Sequence, residues 1–222
     1  MADPHVHDRL IDALGAQLAP VRRLRPPWLR TLGWLSVVAA IALALLAHYG
    51  SAPMLARWAG APDLGWAGLG AVLTAIAAAW VAFALGVPGR RVAWAWLPLA
   101  PALLWIGASG LGCLRGWIAP ATHVASAPEA GDCLFFIIGF SVPLSALLVV
   151  LLRRACPLRP VLTAMMVGLA SAAASASLLE ICHAYDAAAT DLAMHALAVA
   201  VVVGANAALG GRLLAPGVRR AS

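Results

Sequence analysis

The sequence predicts an all-α polytopic membrane protein: a bundle of six transmembrane helices preceded by a cytoplasmic amphipathic helix. Three observations carry this. The 222-residue chain is 63% hydrophobic and only 11% charged, against about a quarter charged in an ordinary soluble domain, so lipid must solvate most of its surface. Six charge-free apolar windows reach the length of about 20 residues that a helix needs to cross a bilayer. The arginines gather at the ends of those windows, on alternate sides.

The first thirty residues stay outside the bilayer. Val6, Leu10, Leu14 and Leu18 recur every fourth residue, with Ile11 beside them, whereas Asp8, Arg9, Asp12 and Gln17 fall largely elsewhere. That stripe predicts an amphipathic helix of about four turns. Asp3 suits its N-cap, Pro4 its first helical position, and Pro20 ends it. A basic, proline-stiffened lead over residues 21–30 follows. A tethered amphipathic helix can lie on the membrane, pack on its own bundle, or dock into a groove of a partner. Three aspartates and one arginine suit a lipid surface poorly, which leaves the last two.

The predicted spans are 31–49, 64–87, 92–114, 133–152, 160–179 and 192–211. The domain plan is thus 1–30 for the amphipathic helix and lead-in, 31–214 for the transmembrane domain, and 215–222 for a cytoplasmic tail. The first apolar run begins late and is long enough to span, so a cleaved signal peptide is not expected. Pro98 and Pro101 should kink the third span and Pro143 the fourth. Gly168, Ala172 and Ala176 put a small-residue stripe on one face of the fifth, which lets a neighbouring backbone approach. Trp34, Trp66, Trp94, Trp96 and Trp117 lie near span ends and are expected at the interface, as is His48, whereas Trp80 and Trp105 should pack between helices. The loops near 50–63 and 115–132 are too short for a separate catalytic domain.

All fifteen basic residues are arginines. Thirteen fall in segments on the N-terminal side of the spans, and only Arg57 and Arg115 fall on the other. Positive charge is retained in the cytoplasm, so both termini are expected there. The net charge of +6 is therefore a topology signal rather than a nucleic-acid surface, and no direct nucleic-acid contact is expected.

Three of the four cysteines fall at the distal membrane edge: Cys113, Cys133 and Cys182. Cys156 lies in the arginine-rich loop on the other side. Exposed thiols in an oxidising compartment can pair or hold a soft metal, while buried ones are small apolar fillers. The last hairpin is denser in chemistry, with Glu180, Cys182, His183 and Asp186 followed by Asp191 and His195. A carboxylate beside a histidine fixes its tautomer, as behind a metal ligand or in a proton relay. Cys133, Cys182, His183 and Asp186 are the candidate metal ligands. Asp191, His195 and Glu180 are the candidate intramembrane polar groups, equally able to join the last two spans by hydrogen bonds. No P-loop, dinucleotide fingerprint or His-Glu-x-x-His is present. No resident cofactor is indicated beyond transient soft-metal binding.

The stretch Asp8-Arg9-Leu10-Ile11-Asp12-Ala13-Leu14, followed by Pro20-Val21-Arg22-Arg23-Leu24-Arg25-Pro26-Pro27, resembles the start of NrsF-type proteins, named as negative regulators of a sigma factor. So do Gly112-Cys113-Leu114, Cys133 at the head of span four, Leu158-Arg159-Pro160, and the closing Cys-His-x-x-Asp and Asp-Leu-x-x-His. The resemblance covers essentially the whole chain. It implies an inner-membrane anti-sigma factor, not an enzyme, that holds an extracytoplasmic-function sigma factor inactive and responds to heavy metals or oxidants through periplasmic cysteines. Carried over by position, Cys133 and Cys182 match the sensing pair, with Cys113 an additional candidate. Leu10, Ile11, Leu14 and Leu18, with Asp8 and Asp12, would then meet sigma. The rival readings are a small membrane transporter, for which no internal repeat is found, and a thiol-active membrane protein, for which no Cys-x-x-Cys exists.

Overall fold

Prolines punctuate this chain. A computed structural model describes residues 4–16, 24–118, 127–153, 155, 157–182 and 189–214, and among them the only regular elements are helices. The order is α1 (Pro4–Ala16), α2 (Pro27–Tyr49), α3 (Ala52–Gly60), α4 (Pro62–Leu85), a 3₁₀ segment (Val92–Trp96), α5 (Leu99–Ile118), α6 (Ala127–Leu152), α7 (Pro160–Cys182) and α8 (Ala189–Leu214). Proline occupies the first or second position of α2, α3 and α4 and the first of α7, where its fixed φ suits a helix and its missing N–H is not needed. Between α2 and α3 the chain turns at Gly50, with φ 77° and ψ 166°, a conformation essentially restricted to glycine.

Six segments are long and apolar enough to cross a membrane: Pro27–Tyr49, Pro62–Leu85, Val92–Gly112, Gly131–Leu152, Pro160–Cys182 and Leu192–Leu214. The chain is a multi-pass membrane protein, and the spans coincide with the six apolar windows of the sequence to within a few residues. The start of α2 and the ends of α4, α6 and α8 gather on one face of the bundle, here called the N-terminal face. Trp34, Leu85, Leu152 and Leu214 share one buried cluster there.

Two local expectations are refined by the structure. Pro98 and Pro101 fall where the third span passes from a 3₁₀ segment through a turn into α5, so the span is interrupted there rather than running as one continuous α-helix. The 3₁₀ segment passes into α5 at Leu99, the Pro98 carbonyl accepts the Ala102 N–H at 3.0 Å, and Pro101 falls in the first turn, where no carbonyl is lost. Pro143 does lie inside a helix, α6. Trp34 is not interfacial: it is fully buried, and its indole N–H donates to the Leu144 carbonyl at 3.2 Å. A buried indole needs such an acceptor. Trp66, Trp94 and Trp96 are exposed on the outside of the bundle. Trp80 packs edge-on against Trp94 at 5.1 Å. The nine-residue helix α3 falls within a segment that reads as loop, being too short to span and rich in Pro, Gly and Ala.

The centre is built from α4 and α7. α4 packs against α2, α5 and α7, and α7 against α2, α4, α6 and α8. Lipid tails are as apolar as leucine, so association rests on close packing and interhelical hydrogen bonds. The small stripe of the fifth span lies inside: Ala172 is fully buried and Ala176 nearly so. A Cβ on Gly168 would stand 2.8 Å from the Val203 Cα, and one on Gly70 would stand 2.6 Å from the Trp105 backbone nitrogen. Gly210 lies directly against Ala164 in the same way. A polar seam joins α6, α7 and α8. Ser141 donates to Ser175 at 3.1 Å, Ser175 to the Ser171 carbonyl at 2.8 Å, and Asn206 to Ser145 at 3.2 Å. Such bonds inside membrane proteins are worth about 0.6 kcal/mol each.

On the N-terminal face Arg30 lies 4.5 Å over the Phe83 ring and donates to the carbonyl of Leu151, in the last turn of α6. The end of a helix leaves such carbonyls without intrahelical partners, and a cation there also meets the negative end of the helix dipole.

Glycine substitutions separate close approach from helix propensity. Gly168→Ala and Gly70→Ala should each destabilise the detergent-solubilised protein by about 1–3 kcal/mol, the usual effect of overpacking. Gly33→Ala and Gly204→Ala, whose added Cβ meets nothing within 4 Å, should be neutral or stabilising by up to about 1 kcal/mol. Thermal unfolding followed by circular dichroism measures both.

Candidate functional site

Two regions carry the residues singled out by the sequence, one at each face. The first is α1. It begins at Pro4 as the sequence expects, and every residue from position 7 to 16 is exposed. Leu10, Ile11 and Leu14 leave 56%, 65% and 57% of their surface accessible, so the bundle does not cover the apolar stripe. Asp8 and Asp12 are exposed on the same helix. Leu18, Asp3 and Pro20 lie outside the described residues.

The second region is the distal face. Cys133, near the start of span four, is buried, and Cys182, the last residue of α7, is half-buried. They belong to one apolar cluster with Ile137, Ala176, Leu179 and Ala198, so α6, α7 and α8 bring them to the same part of the bundle. The Cys182 thiol reaches the Leu179 carbonyl at 3.5 Å. The Cys113 and Asp191 side chains lie outside the described residues, as do His183, Asp186 and Cys156. Among the described residues no three His, Cys, Asp or Glu side chains gather as a metal site; the candidate set depends on His183 and Asp186.

Between the distal end of α7 and α4 lies an arrangement that sequence reasoning missed. The Arg57 guanidinium of α3 donates to the backbone carbonyl of Glu180 at 2.7 Å and stands 3.7 Å from its carboxylate. The neighbouring Trp58 indole N–H approaches the same carboxylate at 3.5 Å. Its ring lies over α4, 3.3 Å from where a Cβ on Gly68 would be. α3 is thus keyed into α4 by Trp58 and latched to the end of α7 by Arg57. The two side chains, at 12% exposure for Arg57 and 25% for Glu180, are sheltered enough for the pair to exceed a surface ion pair. The sequence marked Arg57 only as one of two arginines on the distal side. Its partner is 123 residues away, and no local pattern joins them.

His195 and Glu180 also line a cavity of about 580 Å³ between α4, α5, α7 and α8, with Trp105 and Ser109 on the α5 wall.

Comparison with protein families matches residues 14–215 to NrsF, Negative regulator of sigma F. The chain belongs to the NrsF family. It is a negative regulator of a sigma factor and not an enzyme. The match spans all six transmembrane helices, α3 and the latch, and begins inside α1 at Leu14. Leu10, Ile11, Asp8 and Asp12 precede it. No curated protein and no solved structure matches this NrsF member.

The latch has a graded signature. Arg57→Ala removes the bond to a helix-end carbonyl together with the ion pair and should destabilise by about 2 kcal/mol, the usual scale for bonds to charged groups. Glu180→Gln keeps the backbone acceptor and an oxygen for Trp58, so its effect should be less than half as large. Hydrogen exchange over residues 52–60 should rise in the first variant and stay near wild type in the second.

Proposed function

We propose that this NrsF member is a membrane-bound anti-sigma factor that sequesters an extracytoplasmic-function sigma factor through its N-terminal segment and releases it when the distal thiols react. The observation that carries the reading is the exposed apolar stripe of α1. A stripe of Leu10, Ile11 and Leu14 left open to water, with Asp8 and Asp12 nearby, suits an amphipathic helix that docks into a partner's groove, and the family supplies the kind of partner. Exposure also favours docking over the alternative that α1 packs on its own bundle.

The arginine distribution supports a cytoplasmic N-terminal face, the compartment where sigma factors work. The distal face is then periplasmic, where thiols meet oxidants and metals. A reaction at Cys133 and Cys182 would act on the ends of α6 and α7 and bias the bundle between two arrangements. The sigma factor need only prefer one of them by about 1–3 kcal/mol for that bias to regulate binding. A heavy metal held by the two thiolates, or a disulfide between them with both thiol hydrogens and two electrons passed to the oxidant, would each serve as the trigger.

The reading is tested with the full-length protein in detergent. It should capture the extracytoplasmic-function sigma factor encoded beside it, and Leu10→Asp or Leu14→Asp should weaken capture at least about tenfold, the loss of roughly 1.4 kcal/mol. A folded wild-type protein that binds no sigma factor of its host would sink the proposal.

Release is a separate matter. Cys133→Ser and Cys182→Ser should bind sigma as wild type does, yet hold it when cadmium or a thiol oxidant is added. Release from both variants at the wild-type dose would remove the thiols from the mechanism.

A further inference from the structure

The cavity beside the latch has a shape that the regulatory reading does not use. Its floor is α4 and α7, and its walls are α5 and α8, which touch each other only sparsely. It runs along the bundle from Leu169 on α7 and Val203 on α8 to Glu180 and Leu192. Each of those pairs is eleven residues apart, so the slot is about 16 Å long at the rise of a helix. Half of a hydrocarbon core of about 30 Å is about 15 Å. The slot therefore extends over one leaflet, from the level where Gly168 meets Val203 to the distal edge.

Its polarity is graded along that length. Of sixteen lining residues thirteen are apolar, and the polar ones, Ser109, His195 and Glu180, all lie toward the distal end. Its volume of about 580 Å³ is within the range of ligand sites. A polar solute would find no partners in its deeper two-thirds.

We propose that this slot is a lipid site, holding one acyl chain of a phospholipid from the distal leaflet with its glycerol and head at the mouth formed by Glu180, His195 and Ser109. The chain fills the gap between α5 and α8 and so supplies packing that these two helices do not make with each other. Arg57 and Glu180 offset one another's charge at the mouth, so selection falls on the chain rather than on the charge of the head. The inference does not depend on sigma binding.

The test uses the full-length protein, purified in detergent and supplied with defined phospholipids. Native mass spectrometry should find one phospholipid retained per chain at saturation. Phospholipid brominated in mid-chain should produce a saturable quenching of tryptophan emission that Trp105→Phe removes. Ala196→Leu and Ala200→Leu add bulk to exposed wall positions on α8 and leave the buried core untouched. Together they should lower retention at least fivefold while the melting temperature in lipid-free detergent stays at or above the wild-type value. Unsaturable retention, or retention unchanged in the filled variant, would mean annular lipid only and overturn the site. So would displacement by detergent at equal concentration, retention of a free fatty acid instead, or retention that follows head charge rather than chain length. Loss of sigma capture with lipid retention intact would count against the regulatory reading alone.

Discussion

Helices in a bilayer gain nothing by hiding apolar surface from a solvent that is equally apolar, so this bundle rests on how closely its backbones can approach. α7 makes that approach possible. Its buried positions are chiefly Ala, Ser and Gly, and Gly168 lets α8 come in until the Val203 backbone occupies the space a side chain would need. Gly70 does the same for α5 against α4. Many large apolar residues face outward, as Leu103, Ile106, Phe135 and Val142 do, while Phe83, Ile137, Leu144 and Leu148 fill the core around the small ones. A water-soluble protein could not leave so many exposed. The serine seam between α6 and α7 follows from the small residues inside, because a hydroxyl inside hydrocarbon must find an acceptor within the protein.

Both faces then use the same device. Arg30 donates to the Leu151 carbonyl at the end of α6, and Arg57 donates to the Glu180 carbonyl near the end of α7. Each comes from a different helix and closes a helix terminus whose own carbonyls lack intrahelical partners. The two contacts tie α2 to α6 on one side and α3 to α7 on the other. α7 links the two faces physically: its distal end carries Cys182 and the latch, its other end packs on α8 near Gly210. In the proposed mechanism a change at Cys182 would act on a helix that packs against α2, α3, α4, α6 and α8, which is a suitable place for a bistable element.

Much of this was legible in the residues. Membrane spans announce themselves by length and lack of charge, and α1 by its period of four, because both signals are local and one-dimensional. The cysteines at the distal edge were legible as a depth, not as a pair. The latch was not legible. Arg57 is an ordinary loop arginine until α3 forms, and its acceptor is a backbone carbonyl, which leaves no trace in side-chain identity. Trp34 misled for a related reason. A tryptophan near a span end reads as an interfacial anchor, and only the position of α6 turns it inward to Leu144. Pro98 and Pro101 were legible as a disturbance of the third span, but its form, a passage from 3₁₀ to α-helix at Leu99, was not.

By itself the sequence determined the number of spans, their limits, the side on which positive charge accumulates and the amphipathic stripe ahead of them. Each follows from transfer energies and helical periodicity, which act on neighbours along the chain. Only the tertiary structure decided which helices are central, which glycines are points of contact, that α1 keeps Leu10, Ile11 and Leu14 exposed, and that Arg57, Trp58 and Glu180 meet. Those depend on which face of each helix turns toward which neighbour. In lipid every face can be apolar, so the pattern that orients a helix in water is missing, and the choice passes to close packing and to the few polar groups that need partners.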